Sequence, residues 1–359
     1  MEMRKFDKLG APQRRRLLKA LSIAGLGGPL ASLQAFSPAH AAKPFVFGTT
    51  GGKFHEGTKE VFVENTGFRK RNSLELVYDI QNDSGIAAKV LASCGRPMYD
   101  IAQAVESNAA RASLSGCLMD YDPSKVPNLA DIPETYRLSG YYASAMTLLN
   151  GLVYNTKYVK QPTSWEDLMN PKYKGKVAIP AFGWIGQQFL HAINKAFGGN
   201  EDNIDPGIAA LSEIVGKNEA VIVSGSNPAD MLFQREEIWL MPFWNGRMLN
   251  LRKGGVPVDI YYQPHFLQVG TGYIIPKGTA NAELAQELVN ITLDPEVQLE
   301  LVRYFEYAPT NKKVKVPAEL APVVLPDYAV DRGAQIEWTK LVEYVGRDSE
   351  RWNKEVLRT

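Results

Sequence analysis

Ala42-Lys43-Pro44-Phe45-Val46-Phe47 runs into Gly48-Thr49-Thr50-Gly51-Gly52, an alternating apolar stretch cut off by a turn of small residues. The pattern predicts a strand over 42–47 and a loop after it. A helical pattern follows through Phe62 to Asn65, then a strand over 74–80, a helix over 86–91 and a third strand over 100–105. Strand–helix alternation at this spacing indicates a parallel sheet of the α/β class. In such sheets the ligand crevice lies outside the carboxyl ends of the strands. The loops at those ends, 48–52, 81–84 and 105–108, are rich in small hydroxyl and amide side chains.

Beyond this unit the chain changes character. Residues 141–154 form a long β-capable stretch. Ser164 with Asp167 three positions on outlines a capping box, so a helix starts there. Pro171 and Lys174-Gly175-Lys176 end it, and a strand resumes over 177–179. A second α/β pattern has helices over 185–197, 205–215, 228–235 and 246–254, with strands over 220–223, 238–243 and 258–262. A strand over 270–275 and a helix over 282–293 come next. Pro317, Pro322 and Pro326 mark an extended connection before a last helix over 334–345.

The 359 residues are 45% apolar and 10% aromatic, which excludes intrinsic disorder and provides core for two domains. No run of about 18 apolar residues occurs, so a membrane-spanning helix is not expected. A net charge of +1 without a basic cluster gives no nucleic-acid footprint. That charge is uneven: residues 1–41 carry seven Lys/Arg and two acids, leaving a mildly acidic remainder. Arg14-Arg15-Arg16-Leu17-Leu18-Lys19, a weakly apolar stretch and Ala39-His40-Ala41 follow the order of an export signal cleaved after Ala41. The arginine run resembles a twin-arginine signal, with an ordinary Sec signal as the alternative. Export to the periplasm permits a bridge between Cys94 and Cys117, the alternative being two independent buried thiols. His55, His191 and His265 each stand alone, so no metal site is expected. Val223-Ser224-Gly225-Ser226-Asn227 lacks the frame of a nucleophile elbow, and Gly270-Thr271-Gly272 is an incomplete dinucleotide fingerprint. Neither catalysis nor a cofactor is positively supported, and an exported enzyme stays as the alternative of a different class.

Thr163-Ser164-Trp165-Glu166-Asp167-Leu168, Pro171-Lys172-Tyr173-Lys174-Gly175-Lys176 and Phe243-Trp244-Asn245-Gly246 carry a family resemblance. They resemble the periplasmic solute-binding proteins of ABC importers, in the branch with spermidine/putrescine, thiamine and ferric-ion binders. The resemblance implies the type II periplasmic-binding-protein fold. Each of its two α/β lobes has a mainly parallel sheet flanked by helices, and crossing strands near 148–150 and 270–273 form a hinge. The first lobe would take 42–148 plus 272–316, the second 149–271 plus 317–359, with the placement of the last segment open. It also implies a small-molecule solute, an inner-membrane permease with its ATPase, no nucleic acid, and a monomer.

Carried over by position, the polyamine pattern is mostly missing here. Thr49, Thr50 and Gly51 occupy the first loop, Asn82 the second, and Glu106-Ser107 replace a hydroxyl–aromatic pair. Gly183 and Trp184 fall where an acidic loop would stand, Thr271 falls on a key aspartate, and Trp244 matches a binding-site tryptophan. Gly183-Trp184 opens a helix whose amides favour anions, and Arg247 offers a bidentate guanidinium. The expected ligand is a small carboxylate, amino acid or aminophosphonate, with Glu106 available to an amine. A genuine polyamine binder is the alternative. Solvated, capping or core roles compete for Arg247, Glu106 and the tryptophans, and Tyr261-Tyr262 read as packing residues in a strand.

Overall fold

The computed structural model describes residues 44–329 and 331–357; the export-signal reading of residues 1–41 lies outside them. Twelve strands follow in chain order among the described residues: β1 (Phe45–Thr50), β2 (Leu76–Gln81), β3 (Ile101–Val105), β4 (Leu118–Met119), β5 (Arg137–Leu138), β6 (Tyr142–Asn155), β7 (Ala178–Pro180), β8 (Val221–Val223), β9 (Leu240–Trp244), β10 (Val258–Tyr261), β11 (Leu267–Pro276) and β12 (Ala308–Pro309). β1 lies between β2 and β3, parallel to both, with Phe45 opposite Leu76 and Phe47 opposite Ile101. The first strand runs three residues past Phe47, because the parallel ladder continues to Thr50 opposite Gln81.

β11 adds antiparallel to β3, with Thr271 opposite Val105, and pairs with β6 along its other edge. β6 is the longest strand. Its first half meets β5 and β12, and its second half meets β9 and β10. β6 and β11 therefore run together from one group of strands into the other. Every residue of β6 except Leu148 is buried, which explains why its sequence is apolar on both faces rather than alternating. β7 and β8 form a separate parallel pair.

Two large apolar cores lie along these crossing strands. Phe45, Phe47, Phe62, Phe68 and Tyr273 anchor one, with Phe62 edge-on to Tyr273 at 5.4 Å. Trp165, Phe189, Phe233, Phe243 and Trp352 anchor the other. Trp165 is locked by its indole N–H, which donates to Pro264 O at 2.9 Å. The turn that presents it is the expected capping structure, a short 3-10 helix in which Asp167 accepts from the amides of Thr163 and Ser164.

Two elements differ from the sequence reading. The last helix begins at Trp338 rather than 334, because Ala334 N donates to Phe266 O and holds that segment extended. Trp338–Glu343 is followed by Val345–Arg351 and Trp352–Val356, which pack on the helices Gln187–Ala196 and Asp205–Gly216. A helix over Pro295–Phe305 is absent from that reading, although Asp294-Pro295 supplies its start signal. Asp294 accepts from the amides of Glu296 and Val297, and Pro295 sits where a missing N–H costs nothing. Cys94 and Cys117 are joined by a disulfide, their Cα atoms 5.0 Å apart.

Candidate ligand-binding cavity

A cavity of about 490 Å³ opens at the carboxyl ends of β1 and β3. Its first wall comes from the loops and helix starts that follow the strands of that sheet: Thr50, Gly51, Asp83, Ser84, Ser107, Asn108 and Arg111. Its second wall comes from Phe182, Gly183 and Trp184, the start of the helix Gln187–Ala196, and Trp244 at the end of β9. Leu148, Val269 and Thr271 of the crossing strands form the floor, and Leu341, Val342 and Val345 close one side.

Two charged residues are among the lining side chains, Asp83 and Arg111. Asp83 opens the helix Asp83–Ala92 directly after β2, and its Oδ1 is buried without a hydrogen-bond partner. Burial alone raises its carboxyl above the ordinary aspartate value. Arg111 lies one helical turn from Ser107 on the helix Glu106–Leu114, so both reach the same face. Its guanidinium makes no hydrogen bond or ion pair among the described residues. Aromatic surface from Phe54, Phe182, Trp184 and Trp244 surrounds them.

Of the sequence-selected residues, Thr50, Gly51, Ser107, Gly183, Trp184, Trp244 and Thr271 line this cavity. Thr49, Asn82, Glu106 and Arg247 do not. Thr49 is fully buried and donates to Gln103 Oε1 at 3.2 Å. The same oxygen takes the amide and hydroxyl of Thr50. Asn82 caps its helix, accepting from Gly85 N at 2.7 Å. Glu106 points away to Gly270 N, 2.6 Å from its Oε1. Arg247 is paired with Asp230 at 2.9 Å and also donates to Asn227. The amides of Trp184 and Gly186 both donate to Ala181 O, which leaves fewer free donors at that helix start than its sequence suggests.

Asp83, Arg111 and the apolar 341–345 wall were missed. Asp83 adjoins Asn82 within the expected 81–84 loop, and Arg111 could have been found four residues beyond Ser107.

The sequence and fold have known counterparts. The family model of bacterial extracellular solute-binding proteins matches residues 66–323. The spermidine/putrescine-binding periplasmic protein of Escherichia coli is 23% identical over 261 residues, covering 68% of this chain and 72% of that protein. The gamma-aminobutyric acid-binding protein of Pseudomonas aeruginosa is 21% identical over 300 residues, covering 75% and 82%. A crystal structure of an ABC transporter protein from Clostridium perfringens superposes with a TM-score of 0.77 at 24% identity, covering 87% of this chain and 99% of that one. The fold is thus the two-lobed α/β type II periplasmic-binding-protein architecture, and the chain belongs to the bacterial extracellular solute-binding proteins of ABC transport.

Proposed function

We propose that this protein captures a small zwitterionic solute, carrying one ammonium and one carboxylate group, and delivers it to an ABC permease and its ATPase. The carrying observation is Asp83 Oδ1, buried without a partner in a cavity whose other charged lining residue is Arg111. A buried, unpaired carboxylate is costly, and a ligand ammonium would relieve that cost. The aromatic surface of Trp184 and Trp244 suits the methylenes beside such a cation. Arg111 would take the opposite end, replacing Arg247 as the carboxylate anchor. The relative named for gamma-aminobutyric acid supports this reading, since that molecule carries the same two groups.

A polyamine is less well served, because a second ammonium would find no second carboxylate among the described lining residues. The lobes are assigned as 42–148 with 272–316, and 149–271 with 317–359. Packing of Val345–Arg351 and Trp352–Val356 on the second core supports placing the last segment there, while Trp338–Glu343 packs on the helix Glu106–Leu114 of the first lobe. Residues 1–41 are assigned as a cleaved export signal, and the mature protein as a periplasmic monomer.

A thermal-shift panel of amino acids, ω-amino acids, phosphonates, dicarboxylates and polyamines tests the reading. A ligand bound by the native state alone adds about 2.7 kcal/mol at a hundredfold excess over Kd. Zwitterions are expected to raise the melting temperature and polyamines to leave it unmoved; a shift from polyamines alone would overturn the proposal. Substrate turnover by the purified protein would instead favour an exported enzyme.

A further inference from the structure

The crossing strands separate two cavities. Successive side chains point to opposite faces of a strand, so Leu148, Val269 and Thr271 face the large cavity while Thr147 and Gln268 face the other side. There a second cavity of about 170 Å³ is lined by Glu106, Arg137, Thr147, Gln268, Gln335 and Trp338, among others.

Three polar atoms of this lining are buried without hydrogen-bond partners: Glu106 Oε2, Thr147 Oγ1 and Arg137 Nε. Glu106 is 5% exposed and Thr147 1%. Leaving such groups unsatisfied costs about 1–3 kcal/mol each. Arg137 has no ion pair among the described residues, so its buried N–H lacks an acceptor. Glu106 Oε1 accepts from Gly270 N at 2.6 Å and from Ser144 Oγ at 3.3 Å, which leaves Oε2 as the oxygen that carries the proton of the acid form. Its Oε2 is then the hydroxyl of that acid. Burial pushes the Glu106 carboxyl up to about 8, which keeps this acid form at neutral pH. Tyr142 and Tyr136 feel the charge of Glu106, and Arg137 and Glu134 line the same cavity. A guanidinium N–H, an alcohol and a carboxylic O–H thus line one small cavity as donors, with the Glu134 carboxylate as an acceptor among the same lining residues.

We propose that this rear cavity binds a small monocarboxylate anion, received by the Arg137 guanidinium, the Thr147 hydroxyl and the Glu106 carboxyl. The volume admits formate or acetate with room for water beside it, since one water occupies about 30 Å³ of liquid. The site lies behind the residues that floor the main cavity, on the opposite face of the same crossing strands. It stands independently of the zwitterion reading, because it uses none of the front-wall residues.

Titrating the mature protein with 13C-formate, followed by line broadening, tests the site. Saturable binding is expected at pH 6.5, falling about tenfold by pH 9 as Glu106 ionises and the anion meets a like charge. Arg137→Gln should weaken binding at least about tenfold, and Thr147→Val several-fold, each checked for an unchanged fold by its melting curve. Glu106→Gln keeps an N–H donor and should bind formate equally at both pH values. Non-saturable broadening, undiminished binding in Arg137→Gln, or loss on Arg111→Gln instead would overturn the proposal.

Discussion

Asp83 and Glu106 each open a helix directly after a strand of the same sheet, yet they face opposite sides of it. Asp83 borders the large cavity, while Glu106 reaches back to the crossing strands. Each has a distinct pH signature. Burial raises the Glu106 carboxyl to about 8 from an ordinary 4.5, so the folded chain holds a proton that the unfolded chain has released. Its stabilising effect is complete below about pH 4.5 and is lost as pH rises to about 8. Glu106→Gln removes this dependence, and its melting temperature should overtake the wild type's across that window. The gap has an upper limit of about 5 kcal/mol. Asp83→Asn should stabilise the ligand-free protein by about 1 kcal/mol at neutral pH while weakening ligand binding, read by denaturant melts and titration. Gly270→Ala should cost about 1–3 kcal/mol in the same melts, because a Cβ there meets Ser144 Oγ and Glu106 Oε1. The loops holding these residues were legible in sequence; the facing side chain in each was not. A helix turns about 100° per residue, so Asn82 capping and Asp83 lining differ by one position.

At the scale of elements, the crossing strands were the most legible feature. A fourteen-residue strand buried on both faces at every residue but Leu148 leaves a mainly apolar signature in β6. The helix Pro295–Phe305 was not read from the sequence, because its signal lay in the Asp294-Pro295 cap rather than in apolar spacing. Asp294→Ala should lower stability by about 1 kcal/mol, read as a shift of the denaturant midpoint. The segment over 334–337 was not legible as extended, because a bridge between Phe266 and Gly333, far apart in sequence, overrides its local helical preference. The disulfide ties the end of the helix Asp83–Ala92 to the chain before β4 across 23 residues. Closing a loop of that size contributes about 3 kcal/mol. Replacing both cysteines with serine should lower the denaturant midpoint accordingly, without changing ligand selectivity, since neither cysteine lines the cavity.

Across the whole molecule, two apolar cores are joined by the paired strands β6 and β11, with the large cavity beside the joint. A ligand contacting both walls stabilises the arrangement that brings them together, which is the physical basis of closure in this fold. In the proposed complex Asp83 and Arg111 hold opposite ends of one zwitterion. Calorimetric titration of an ω-amino acid into wild type, Asp83→Asn, Arg111→Gln and the double variant tests it most directly. Each single substitution should weaken affinity by about 2–3 kcal/mol, as for hydrogen bonds to charged groups. The same ligand with its amine removed should lose the advantage that wild type holds over the Asp83→Asn variant. Unchanged affinity of the ω-amino acid in Asp83→Asn would show that Asp83 does not hold the ammonium.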